Sequence, residues 1–204
     1  MRLFVFARHA ESVANIAHVI SSDPAHPAAL TRRGRGQARK LGAQLVNFEI
    51  DIAFCTRFLR TRQTIDVALH GRAIPVLVEP GLDEVQTGVF DGAPIQSYWA
   101  WKERHAPSER LPHGESLDEA VRRYVDALQR LLARTEAVTL IVAHELALRY
   151  IATAAANASP AAAQSSIANA VPYLFDENAL RRATDCLDAL APPAPHELHR
   201  RQAA

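Results

Sequence analysis

A chain of 204 residues with 49% hydrophobic content is long enough to bury the core of a single domain without help from a metal or a disulfide. Its 23 basic and 22 acidic residues nearly cancel to a formal charge of +1, with no long run of one sign, which excludes the usual electrostatic footprint of nucleic-acid or anionic-membrane binding. Cys55 and Cys186 form no C-x-x-C pair and lie near no histidine cluster, so no zinc site is expected and a reducing cytoplasm is the natural compartment.

The first apolar run, residues 3–7, is too short for a signal or membrane segment and is followed at once by Arg8 and His9. It reads instead as a buried strand, because its β-branched and aromatic residues do not alternate with polar ones. A helix follows over 31–46, with the Thr31 hydroxyl placed to accept from a first-turn amide. Further along come a strand at 52–55, a helix at 57–69 and a strand at 74–78. Residues 80–115 carry Gly, Pro and two tryptophans with little periodicity, and read as a long functional loop or lid. Beyond it are a helix at 116–133 capped by Ser116, a strand at 138–143, a helix at 146–156, a weaker and edge-like strand at 171–175, and a helix at 177–190. The tail from residue 191, with Pro192, Pro193 and Pro195, cannot continue a helix and is expected to fray. The alternation of strand and helix predicts one α/β domain over 1–190, with helices on both faces of a mostly parallel sheet.

The polar residues fall in a pattern relative to these strands. Arg8 and His9 follow the first, Thr56 and Arg60 the second, Glu84 the third, and His144 the fourth. A lone His or Arg beside a strand is usually a surface or capping residue. In a parallel sheet, however, the carboxyl ends share one edge where ligands bind, so these distant groups converge there. Two Arg, two His and one Glu make an anion site with a nucleophile and an acid.

The segments themselves resemble a known family. Arg8-His9-Ala10-Glu11-Ser12 with Asn15 resembles the R-H-G-[ED]-[ST]-x-x-N signature of the histidine phosphatase superfamily. Leu30-Thr31-Arg32-Arg33-Gly34 with Gln37-Ala38 is similar to its L-T-x-x-G-x-x-Q-A segment. Thr56-Arg57-Phe58-Leu59-Arg60 with Gln63-Thr64 is similar to S-P-L-x-R-A-x-Q-T. Leu82-Asp83-Glu84 with Gly88, Phe90, Asp91 and Gly92, then His113-Gly114-Glu115-Ser116, then Ile141-Val142-Ala143-His144 with Arg149, continue the match in order over about residues 1–150.

The resemblance implies a phosphoglycerate mutase-like, three-layer α/β/α sandwich and a metal-independent phosphomonoesterase with no cofactor. Its partner is a small phosphorylated substrate, with homodimerisation left open. In that reading His9 is the nucleophile that is transiently phosphorylated, and Arg8 and Arg60 grip the phosphoryl oxygens, as their always-charged forks suit. His144 donates to the phosphate in a protonated form, and Glu84, kept protonated in a partly desolvated lid site, supplies the leaving group's proton. One ring nitrogen of His9 attacks while the other should donate to a backbone carbonyl. Asn15 and Thr56 are candidate substrate contacts, although both types also serve as caps. Tyr98, Trp99 and Trp101 either wall the pocket or pack the long loop down.

Three departures stand out. Ala10 replaces a glycine, which is tolerated if its φ is negative. Arg57 replaces a proline and could add a third cation at the mouth. Glu145 replaces a glycine beside the anion site, where an inward carboxylate would repel phosphate, so it is expected to point outward, toward the helix N-terminus or Arg57, and to disfavour substrates with a second anionic group. A mutase is the alternative, argued against by the absence of an E-R-H-Y-G motif at Glu84 and of an Arg-Arg pair in 93–113. A non-catalytic phospho-ligand or protein binder is the other, argued against by the full catalytic set.

Overall fold

Residues 2–158 and 166–191 are described by the computed structural model of the chain. Five strands, β1 (Leu3–Arg8), β2 (Ile52–Cys55), β3 (Val76–Val78), β4 (Val138–Ala143) and β5 (Pro172–Asp176), form one sheet in the order β3-β2-β4-β1-β5. The pairs β1/β4, β2/β4 and β2/β3 are parallel, and β5 alone runs antiparallel along β1 at an edge. The edge position suits Pro172, which has no N–H to give to a ladder.

Seven helices are present among the described residues: α1 (Val13–Ala17), α2 (Arg32–Gln44), α3 (Leu59–Ala68), α4 (Ile95–Lys102), α5 (Leu117–Leu132), α6 (Glu145–Ala155) and α7 (Glu177–Leu190). Because strand side chains alternate between faces and both faces here are apolar, each is covered by helices. Phe4, Phe6, Phe54 and Ile141 pack with Tyr124 and Leu128 of α5, Ile151 of α6 and Leu180 of α7. Val5, Ala7, Ala53 and Val142 pack on the other side with Ala38 and Leu41 of α2 and Ile65 of α3. The result is the expected three-layer α/β/α sandwich. On α5, Ala120, Tyr124, Leu128 and Leu131 recur at three- or four-residue spacing and are fully buried, so this one stripe fixes how the helix lies on the sheet. Each large side chain so buried contributes about 1.5–3 kcal/mol.

Local chemistry sets the ends. Thr31 accepts from the Gly34 amide at 2.9 Å, and Ser116 from Glu119 at 3.1 Å, as N-caps. The third strand starts later than expected because Pro75 lacks an N–H and the Ile74 amide closes a turn onto Arg72 O. Residues 80–115 are more ordered than their composition suggests, since two 3-10 turns, Pro80–Leu82 and Gly88–Phe90, and helix α4 occupy them. Gly88 has φ of 58°, and a Cβ there would meet Pro112 O at 2.0 Å, so both its conformation and its packing demand glycine. The frayed tail expected after residue 191 lies outside the described residues.

Candidate active site

Parallel pairing of β1 with β4 sets Arg8 against Ala143. The next residue of each strand, His9 and His144, therefore leaves the sheet beside the other, with ring centroids 5.4 Å apart. The His9 amide donates to Ala143 O at 2.9 Å, locking the two strand ends together. Cys55 pairs with Val142, which places Thr56 against His144 and lets the first turn of α3 carry Arg60 between the two rings.

His9 is 3% exposed. Its Nδ1 lies 2.8 Å from Ala10 O, a pure acceptor, so that nitrogen carries the proton, as expected. Nε2 is then the bare nitrogen, and it accepts from Arg60 Nε at 3.1 Å. Burial, then the charges of Arg60 and Arg8, push the His9 imidazole well below its ordinary value. The ring is held neutral in one tautomer with its lone pair toward the cavity.

Arg60 joins the site together. Its Nη2 donates to His144 Nδ1 at 3.1 Å and to Ser21 O at 3.0 Å, and its Nη1 to Ser21 Oγ at 3.0 Å. Burial lowers its pKa to about 10, partly offset by Glu84, so it stays cationic at neutral pH. Since Arg60 donates to His144 Nδ1, the His144 proton sits on Nε2 and points at Thr56 Oγ1, 2.9 Å away. Thr56 passes its own proton to Thr61 Oγ1 at 2.9 Å, and Thr61 donates to Phe58 O at 2.8 Å. This directed chain explains Thr56: it orients His144 and does not line the cavity. Burial, Arg60 and His9 push His144 well below the ordinary histidine range, so in the free site it is neutral; the protonated form is expected only beside a bound phosphoryl group.

Two neutral buried histidines have a consequence for stability. Below their ordinary pKa of about 6.5 the unfolded chain binds protons that the folded chain refuses. Stability is therefore fully present above that value and is lost as pH falls through it, by about 1.4 kcal/mol per pH unit for each histidine. Thermal melts between pH 5 and 8 should show Tm falling on the acid side, with a shallower fall in the His144→Gln protein; an equal slope in both would refute the assignment.

The candidate acid Glu84 reaches the same place from the turn that follows β3. Its Oε2 lies 3.8 Å from His144 Nδ1, and it lines the cavity. The loop is stapled by Arg123 of α5, which donates to Gly81 O, Asp83 O and Glu84 O at 2.9–3.1 Å and forks onto the Glu115 carboxylate at 2.6 and 3.0 Å. Glu115 in turn accepts from the Gln86 amide at 2.9 Å.

Several expected contacts fall elsewhere. Arg57 is not a third cation at the mouth: its Nε reaches Asp83 Oδ2 at 2.5 Å and its amide reaches Asp83 Oδ1 at 3.0 Å, which ties the start of α3 to the acid loop. Glu145 does not point outward or toward Arg57. Its carboxylate turns to the cavity and meets Arg8 Nη1 at 2.7 Å, because an unmatched Arg8 beside the first turn of α6 is a nearer and less screened partner than solvent. Arg8 also donates to Ile167 O at 2.8 Å, and its buried Nε has no partner among the described residues. Asn15 lines the cavity, with its Oδ1 accepting from the Ser12 amide at 2.9 Å. Ala10 has no left-handed φ, so its methyl group is accommodated.

The cavity has a volume of about 730 Å³, enough for a metabolite-sized ligand. Arg8, His9, Asn15, Arg60, Glu84 and Glu145 line it, together with Tyr98, Trp99, Lys102 and Arg149. Trp101 instead packs on the core and stacks on His105 at 4.0 Å. No group of three or more His, Cys, Asp or Glu side chains among the described residues is arranged to hold a metal. No helix among them is long and apolar enough to cross a membrane.

The sequence matches the histidine phosphatase superfamily (branch 1) over residues 4–175. The chain belongs to this superfamily. It is 31% identical over 157 residues to the adenosylcobalamin/alpha-ribazole phosphatase of Salmonella typhimurium, spanning 71% of this chain and 74% of that protein. It is equally 31% identical over 149 residues to "Probable phosphoglycerate mutase GpmB" of Erwinia tasmaniensis, spanning 69% of this chain and 68% of that one. Among solved structures, YhfR of Bacillus stearothermophilus superposes with a TM-score of 0.76 at 22% identity over 86% of this chain and 91% of that one. The alpha-ribazole phosphatase of Shigella flexneri superposes with a TM-score of 0.70 at 23% identity over 85% and 90%. These two structures show a shared fold.

In this histidine phosphatase superfamily member the quoted motif residues outside the cavity hold its loops. Gln37 accepts from the Glu11 amide and Gln63 from the Leu30 amide, both at 2.8 Å, while Thr64 accepts from the Ala10 amide at 3.0 Å. Gly34 lies where a Cβ would strike Glu11 O at 2.0 Å, so α2 can start hard against the His9 loop. Three positions escaped sequence reasoning. Ser21 grips Arg60, Asn169 Nδ2 donates to His9 O at 2.7 Å, and Lys102 reaches the cavity. Ser21 and Asn169 sit in irregular segments with no periodic signal, and Lys102 ends a helix that composition did not reveal.

Proposed function

We propose that this chain is a phosphomonoesterase that hydrolyses a small phosphorylated metabolite through a phosphohistidine on His9. One observation carries the reading: a neutral His9 with Nδ1–H tied to a backbone carbonyl and Nε2 bare toward a cavity framed by two guanidinium groups. Nothing else in a structural histidine requires that combination of tautomer, burial and flanking cations.

In this mechanism the phosphate dianion takes over donors that now serve internal acceptors. Arg60 turns its Nε–H from His9 to a phosphoryl oxygen, and Arg8 exchanges the Glu145 carboxylate for another, using its unpartnered Nε as well. The freed Nε2 lone pair attacks phosphorus as the ester oxygen leaves with a proton from Glu84. The arriving negative charge favours protonation of His144, which then donates to the transferring group. Glu84, now a carboxylate, takes a proton from the water that cleaves the N–P bond, restoring neutral His9. The cations Arg8 and Arg60 stabilise the charge spread over the equatorial oxygens.

The test is phosphate release from a panel of metabolite monoesters after exhaustive treatment with EDTA. Undiminished release, with competitive inhibition by vanadate, is expected; loss restored by Mg²⁺ or Zn²⁺ would contradict the metal-independent route. Complete inertness toward the panel would revive the reading as a binding protein. The identity to the Erwinia protein supports a second reading, return of the phosphoryl group to a substrate. Stimulation of isomerisation by bisphosphoglycerate, without net phosphate release, would favour it.

A further inference from the structure

The proposed mechanism uses Arg8 and Arg60 but leaves two other cations in the same cavity without a task. Arg149 and Lys102 both line it, one from α6 and the other from the last turn of α4. Among the described residues neither charged group is in an ion pair or hydrogen bond, and the Arg149 Nε is buried with no acceptor. Arg149 follows Glu145 by four positions, so the two share a helix face about 6 Å apart along the axis. That order of acid and base normally pairs. Here it does not, because Glu145 is engaged by Arg8.

The two cations line one cavity and lie within electrostatic reach of each other. Burial, and then the charge of Arg149, lower the Lys102 pKa, which is the response of an ammonium brought near a like charge with no counter-ion. Lys102 is exposed at the cavity rim, whereas the Arg149 Nε is buried without an acceptor among the described residues, an arrangement an anion would complete. Tyr98 and Trp99, one helical turn before Lys102, line the cavity between α4 and its floor and offer an apolar wall to the body of a ligand.

We propose that Lys102 and Arg149 form a second anion-binding subsite in the catalytic cavity, so that the preferred substrate is a phosphomonoester whose body carries a second anionic group. The proposal rests on the phosphomonoesterase reading. It reverses the selectivity expected of Glu145, whose carboxylate is held by Arg8 in the free site; once the phosphate takes Arg8, a distal anion competes with that carboxylate for Arg149 and meets Lys102 directly.

The test compares phosphate monoesters of ω-hydroxyalkanoic acids, two to six methylenes long, with the matching primary amides, and with α,ω-alkanediol bisphosphates to distinguish a distal carboxylate from a distal phosphate. In the unmodified protein kcat/KM for the best acid or bisphosphate should exceed that for the corresponding amide or monophosphate by about tenfold or more, as a charge-assisted contact allows. The ratio should fall to about one in the Lys102→Ala/Arg149→Ala protein and be restored by Lys102→Arg/Arg149→Lys. A ratio near one at every length, or one that survives the double substitution, overturns the subsite. Equal losses on both members of each pair also overturn it, and assign Arg149 to parking the Glu145 carboxylate. Turnover of the amide with no preference for the acid defeats this inference alone, whereas no turnover of any ester defeats the phosphatase reading. Calorimetric Kd values for the same pairs on the His9→Ala protein read the ratio without chemistry.

Discussion

Replacing His9 with alanine is expected to lower kcat on any accepted phosphomonoester by about 10⁴-fold or more, because loss of the attacking atom removes the route and not merely one stabilising contact. The fold should survive. The His9 ring makes its hydrogen bonds to Ala10 O and Arg60, whereas the β1–β4 connection runs through its backbone amide, which alanine retains. Burial of the ring adds a small packing loss, so a modest drop in Tm is compatible with the assignment and unfolding at room temperature is not. Rapid quenching of the unmodified protein during turnover should trap phosphate in an acid-labile, base-stable linkage on His9. Label on Ser12 or Thr56, or retention of more than about a hundredth of the rate by the alanine protein, would sink the covalent route.

The second large effect is expected from Arg60→Lys, which keeps the charge and removes the fork. Arg60 serves His9 Nε2, His144 Nδ1, Ser21 O and Ser21 Oγ with three nitrogens at 3.0–3.1 Å. A lysine ammonium is a single point on a flexible stem and cannot face both rings and the 21 loop together. Loss of about 10²–10³-fold in kcat/KM is expected, in the range seen when one preorganised donor to a developing charge is removed. The pH dependence should hold. The lysine ammonium keeps a positive charge beside the rings, and burial is the larger cause of their depressed values, so the acid limb of the rate profile should stay in place. A lysine protein with near-normal rate would show that charge alone suffices at this position.

Much of this site was legible because it depends on local order. Short apolar runs end at Ala7, Cys55 and Ala143, and strand polarity alone then delivers Arg8 and His9, Thr56 and His144 to one edge. The neutral His9 tautomer was likewise anticipated, since any attacking imidazole must free one nitrogen and anchor the other. The caps Thr31 and Ser116 were readable from hydroxyls ahead of apolar periodicity. Helix α4 was not, because its pattern of Tyr98, Trp99 and Trp101 divides between a cavity wall and a core contact and shows no single apolar stripe.

The side-chain pairings of the charged residues were a different matter. Arg57 had Asp83 available across the chain, Glu145 had Arg8, and Arg123 had Glu115 and three carbonyls of the acid loop. Each choice sets one long flexible side chain among several partners of similar chemistry, at energies of only a few kcal/mol that depend on burial and distance. The layer architecture, the carboxyl ends of the strands and the identity of the groups gathered at that edge were readable from periodicity and chain polarity, which are local properties. That Glu145 faces Arg8, and that Lys102 and Arg149 line the same cavity, depends instead on which distant elements pack within reach of one another.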